Sequence, residues 1–268
     1  MTPTRIAATF PGKFGDLLWA LPTVRAISEH FDQPVNLILS DYLAPIVDLL
    51  NQQPYIQQAV SYPVWQVEMT APLTPRVPPT EFNFDRIFHL GLDGWPLANL
   101  PKCIEAILHQ QWKDADGPAP TIDFRPWITA PRLPPVLDAH AKFAVGFTDE
   151  WFELKFGIHE LLILCGNRVV LCAEGSRWQR EAGWEPSTWI EAAQTIHNAR
   201  AFLGCCSALH VLSVAIGKPT VVMEPNVHRH HPIFWPEQVK DRVHQVLGGD
   251  GEWTFDARHV RETIEKFL

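Results

Sequence analysis

The chain has 268 residues, 46% hydrophobic and 19% charged, enough apolar content for one large core or for two of about 130 residues each. With 30 acidic against 22 basic residues the formal charge is −8, which excludes a global field for nucleic acid or an anionic membrane. No apolar run nears the roughly 18 residues of a spanning helix, and Lys13 and Asp16 stand where a leader would need its apolar stretch, so the expectation is a cytoplasmic protein without a transmembrane segment.

Residues 5–10 (RIAATF) form a short apolar run, followed by Pro11-Gly12-Lys13-Phe14-Gly15-Asp16 and then by apolar residues at Leu17, Leu21, Val24 and Ile27. This is the pattern of a strand, a glycine loop and a helix. Residues 34–40 read as a second strand, with Asp41 as cap of a helix over 42–53. Six prolines between 54 and 80 predict a surface excursion around one short strand near Ala59. A strand at 84–90 and a helix at 97–111 close the first series. Residues 117–135 carry six more prolines, the composition of an extended interdomain connection, which puts the boundary near Ala130.

The second series opens with a strand at 142–147 and a helix from Asp149. It continues with strands at 168–173, 201–204, 219–223 and 243–247, separated by helices at 187–199 and 206–216, with a closing helix at 256–268. Alternating strands and helices imply parallel sheets, so the fold class is α/β, two Rossmann-like domains facing a cleft, residues 1–130 and 131–268. The five cysteines, Cys103, Cys165, Cys172, Cys205 and Cys206, lack CxxC spacing and are expected to be reduced thiols rather than a zinc site.

In open α/β sheets ligands bind beyond the carboxyl ends of strands, where helix N-termini favour anions. The loop Gly12-Lys13-Phe14-Gly15-Asp16 lies there without a full phosphate-loop or dinucleotide fingerprint. Asp16 is either a first-turn cap or a general base. Leu203 to His210 runs from a strand into a helix, where Ser207 and the backbone amides could hold phosphate with His210 as a further donor. Gly175 to Arg180 offers Arg177 and Arg180 with Trp178, which could clamp phosphate and stack a base, or be a solvated loop. His228, His230 and His231 lack a ligand pattern of a known type, so no metal is expected. Trp151, Phe152 and Trp189 read as core.

The windows GKFGDLLWALPTVRAI and ARAFLGCCSALHVLSVAIGKPTVV resemble glycosyltransferase family 9, the heptosyltransferase-like enzymes, and the order of elements fits along nearly the whole chain. The resemblance implies the GT-B type, with an N-terminal domain for the acceptor and a C-terminal domain for a nucleotide sugar. It implies inverting, metal-independent transfer to a glycan, lipid-linked or other hydroxyl acceptor, with Asp16 as base, Gly12, Lys13 and Gly15 in the acceptor-side loop, and no cofactor. On the donor side it implies Thr148, Lys155, Glu174, Arg177, Ser207 and His210. The family commonly has an aspartate and a glycine where this chain has Cys205 and Ser207. Two alternatives stay open: a nucleotide or glycan binding module without turnover, and a sugar-nucleotide epimerase or hydrolase using Glu174 or Asp93.

Overall fold

The computed structural model of the chain describes residues 5–66, 77–79, 81–91, 100–113, 116–131, 143–146, 163, 165, 166, 168–174, 176–205, 207–224, 236–247 and 257–266. The chain divides into two compact units, Met1–Trp127 with Ile233–Pro236, and Ile128–Pro232 with Glu237–Leu268.

In the first unit β1 (Ile6–Phe10), β2 (Val35–Ser40), β3 (Ile56–Tyr62) and β4 (Arg86–His89) form a parallel sheet in the order β3-β2-β1-β4. Strand β1 is buried along its whole length, as a central parallel strand covered on both faces must be. Helix α1 (Phe14–His30) starts three residues earlier than the apolar spacing suggests, so Gly15 and Asp16 belong to its first turn rather than to a loop. The expected helix after β2 is replaced by a 3-10 turn, Asp41–Ile46, and a single helical turn, α2 (Val47–Leu50). Pro45 inside that segment has no N–H to donate, which favours the shorter form. Strand β3 is longer than expected, and helix α3 (Leu100–Gln111) follows β4. The Gln111 side chain accepts from the His89 N–H and donates to the His89 carbonyl, both at 2.7 Å, pairing with β4 as another strand would.

Over residues 117–131 the proline-rich segment after α3 forms neither helix nor strand, but it is not loose. Arg25 donates to the carbonyls of Asp123 at 2.6 Å and Pro126 at 3.0 Å, and the Trp127 indole donates to the Leu18 carbonyl at 2.9 Å. Trp19 packs against Trp127 and Phe124, with ring centroids 5.5 and 6.2 Å apart. This explains why α1 is buried over Leu17 to Val24 on every side, beyond the single stripe its spacing shows: the sheet covers one face and this segment the other.

In the second unit β5 (Phe143–Gly146), β6 (Arg168–Leu171), β7 (Ala201–Cys205), β8 (Thr220–Glu224) and β9 (Val243–Leu247) form a parallel sheet in the order β6-β5-β7-β8-β9. Helices α4 (Arg177–Ala182), α5 (Trp189–Asn198), α6 (Ala208–Ile216) and α7 (Ala257–Glu265) accompany it. Thr188 rather than Ser187 caps α5, in a reciprocal box with Glu191, and Gly217 ends α6 in the left-handed conformation at φ 88°.

Gly146 and Gly204 face each other across β5 and β7. A Cβ on Gly204 would stand 2.5 Å from the Gly146 carbonyl oxygen and 2.9 Å from the Phe202 ring. Backbone cannot yield as a flexible side chain does, so Gly204→Ala is expected to destabilise the fold by about 2 kcal/mol or more, read as a lowered midpoint of urea unfolding.

Candidate functional site

Both sheets have a switch point, where the chain leaves one side of a strand and later returns on the other: between β1 and β4 in the first unit and between β5 and β7 in the second. The loops at the carboxyl ends of these strands are where ligands bind in such sheets.

At the first, β1 ends in Phe10-Pro11-Gly12. Gly12 is required by close packing, since a Cβ there would lie 2.7 Å from the Phe10 ring. The buried Ser40 hydroxyl, at the end of β2, donates to the Pro11 carbonyl at 2.9 Å and ties the two strand ends together. Lys13 is the N-cap position of α1, and Asp16, three residues on, accepts the Lys13 backbone N–H on its carboxylate. The cap reading of Asp16 is therefore real. It is also incomplete, because burial pushes the carboxyl pKa up from 3.8 to about 6, against the opposing charge and N–H of Lys13. A carboxylate serving only as a cap gains from being solvated and ionised; this one is held where ionisation is penalised.

Two further residues at strand ends were not singled out in the sequence. Tyr42, in the 3-10 turn directly after β2, has its phenol pKa raised by burial and by the Asp16 charge, and its ring meets Phe14 with centroids 5.0 Å apart. His89, at the end of β4, shares a 2.9 Å hydrogen bond with the buried Thr9 hydroxyl, and burial lowers its pKa. The signal for both was available: the strand-end rule that selects Gly12 to Asp16 after β1 applies equally to β2 and β4.

At the second switch point, β7 leads through Ser207 into α6. The Ser207 backbone N–H donates to Nδ1 of His210 at 2.6 Å. His210 is only 2% exposed, and burial drives its pKa down to about 3. The ring is neutral, with Nδ1 accepting the cap N–H at the start of α6 and the proton on Nε2. Cys205 is fully buried within β7. Glu174 is exposed in the turn after β6. The stretch read either as a phosphate clamp with a stacking aromatic or as a solvated loop is helix α4, capped by Ser176, whose side chain accepts from the Gln179 N–H. Arg177 pairs with Glu181 at 3.2 Å on its surface. Trp178 is buried and stacked on Trp184 at 4.6 Å, part of the core and not a platform for a base. Thr148, Lys155, Asp93, Trp151, Phe152, His228, His230 and His231 lie outside the described residues.

Each of the two units holds its own parallel, Rossmann-like α/β sheet. Among solved structures the chain is similar to E. coli ADP-heptose lps heptosyltransferase II, with a TM-score of 0.62 at 12% identity, 98% of each chain being covered. It is similar to E. coli heptosyltransferase WaaC with ADP, at a TM-score of 0.60 and 12% identity over 98% of this chain and 100% of that one. A family 9 glycosyl transferase from Veillonella parvula matches with a TM-score of 0.53 at 11% identity, covering 99% and 90%. No family model and no curated protein matches the sequence. The fold is that of the heptosyltransferase-like family 9 enzymes.

The sign of the Asp16 effect separates a strained carboxylate from a cap. Its folded-state pKa, about 6, lies above the ordinary 3.8, so the contribution it makes to stability is present below pH 4 and lost as the pH rises through 6. Asp16→Asn keeps an acceptor for the Lys13 N–H and removes the charge. It is expected to match the parent near pH 4 and to exceed it above pH 7 by about 1 kcal/mol, reduced from the full linkage value because the carboxyl retains some solvent. Thermal melts of both proteins across this range check it; a variant less stable at pH 8 would make the carboxylate a net stabiliser.

Proposed function

We propose that the protein is an inverting, metal-independent glycosyltransferase that moves a sugar from a nucleoside diphosphate donor to an acceptor hydroxyl. The observation that carries this reading is a carboxylate with a pKa near 6 in the first turn of α1, beyond the end of the central strand of a heptosyltransferase-like fold. A base of that pKa is ionised at neutral pH yet basic enough to take a proton from a hydroxyl as it attacks the anomeric carbon. The hydroxyl oxygen bonds to that carbon as the bond to the diphosphate oxygen breaks, and the diphosphate leaves with the bonding pair.

In this reading residues 1–130 hold the acceptor, with Gly12, Lys13 and Gly15 shaping its loop, and residues 131–268 hold the donor. Thr148, Lys155, Glu174, Arg177, Ser207 and His210 bind the donor. The WaaC structure containing ADP makes ADP the first nucleotide to test. Among the described residues no helix is long and apolar enough to cross a membrane, and the buried Cys165, Cys172 and Cys205 are in no disulfide. We place the reaction in the cytoplasm, where such thiols stay reduced.

ADP at 100 times its dissociation constant should stabilise the chain by roughly 2.7 kcal/mol, a rise in melting temperature that Lys155→Ala combined with Ser207→Ala abolishes. With an ADP-sugar and an acceptor, turnover should rise with pH through about 6, survive EDTA, and fall by roughly 10²-fold in Asp16→Asn while ADP affinity holds. Normal turnover in that variant would remove Asp16 from the mechanism, and ADP binding without any transfer would make the chain a binding module.

A further inference from the structure

Among the described strands β3 and β4 are the outer ones of the first sheet, and an outer strand turns alternate N–H and C=O groups away from its neighbour. On each of them one such pair is taken by a side-chain amide. On β3 the Asn51 Oδ1 accepts the Ala59 N–H at 2.6 Å, and Asn51 Nδ2 donates to the Ala59 carbonyl at 3.3 Å. On β4 Gln111 does the same for His89. Asn51 stands directly after α2, and Gln111 is the last residue of α3, so in both cases a helix end sets the amide against the strand. A primary amide presents a donor and an acceptor side by side, as a strand residue does, and therefore occupies the position that a further strand would take.

Strand β3 carries little else to deter such a strand. Between Asp48 and Glu68 the sequence has no charged residue, Gln57 and Gln58 are exposed, and Val60 is 36% exposed. The ladder to β2 slips at its start, where Gln57 is an extra residue, and Pro63 follows its end. The regular edge is thus residues 58–62, with Ala59 and Ser61 turned outward, and Asn51 closes it at Ala59. Two such edges set antiparallel about a two-fold axis are self-complementary, the donors of one facing the acceptors of the other. A chain of formal charge −8 repels its own copies, and this stretch is one through which they meet without opposing like charges.

We infer that the open side of β3 is a self-association surface for a second copy of this chain, and that Asn51 holds it shut by occupying Ala59. Neither residue belongs to the donor or acceptor loops, so this role is independent of the proposed transfer reaction.

Sedimentation velocity of the full chain over a concentration series reads the association, with far-UV circular dichroism as the check on folding. Asn51→Ala is expected to form a dimer at least roughly tenfold more tightly than the parent, the factor implied by removing two competing hydrogen bonds. Val60→Lys added to Asn51→Ala should return the association to the parent's level, because a cation on the edge opposes its own copy across the pair without restoring either bond. A parent-like mass in Asn51→Ala overturns the inference. Equal association with and without Val60→Lys overturns it as well, since the contact would then lie elsewhere. So does loss of the native dichroism in Asn51→Ala, which would make Asn51 a folding contact and not a guard.

Discussion

The hydrogen bond from the buried Ser40 hydroxyl to the Pro11 carbonyl joins two strand ends that the chain reaches 29 residues apart. Parallel strands need no such bond to pair, since their ladder is already complete through Phe10 and Leu39. What it fixes is the first residue beyond the ladder on each side. Pro11 leads to Gly12 and the start of α1, and Ser40 leads to Asp41 and Tyr42. With both exits held together, Asp16 and Tyr42 come within electrostatic reach of each other, and the carboxylate is denied the solvent that a helix-start acid ordinarily keeps. Because the bond lies where neither group meets water, losing one partner would leave the other unsatisfied, at a cost of roughly 1–3 kcal/mol.

The two switch points put the same local device to different use. Both α1 and α6 have a side chain three residues past the cap turned back on the cap N–H: Asp16 on Lys13, His210 on Ser207. Burial raises the pKa of the acid and lowers that of the imidazole, as desolvation always disfavours the charged form. At neutral pH the first therefore carries a penalised charge and the second none. His210 is at rest in its place, whereas Asp16 is held in a state the fold would be more stable without. Such local cost is characteristic of sites shaped for chemistry rather than for stability.

The segment between the series shows how a stretch without helix or strand still builds structure. Proline-rich backbone leaves its carbonyls without ladder partners, and Arg25 supplies donors for three of them while its own side chain is mostly buried. Trp127 and Phe124 then cover the face of α1 that the sheet does not reach. Trp127 is bonded to Leu18, and the next residue, Ile128, donates to the Ala215 carbonyl at the end of α6.

The sequence by itself determined the elements and their parallel class, since runs such as IAATF and VNLILS separated by helical spacing and turn residues leave little choice. It also determined where chemistry-bearing residues could gather, because the strand-end rule is local. Helix α4, the breakdown of the helix after β2 and the covered back of α1 were decided by tertiary packing: Trp178 needed Trp184 to bury it, and α1 needed a segment more than ninety residues away. The character of Asp16 was decided there too. One carboxylate and one glycine loop read equally well as a cap or a base. Burial in the folded unit raised its pKa, and desolvation is a property of neighbours in space that no local pattern records.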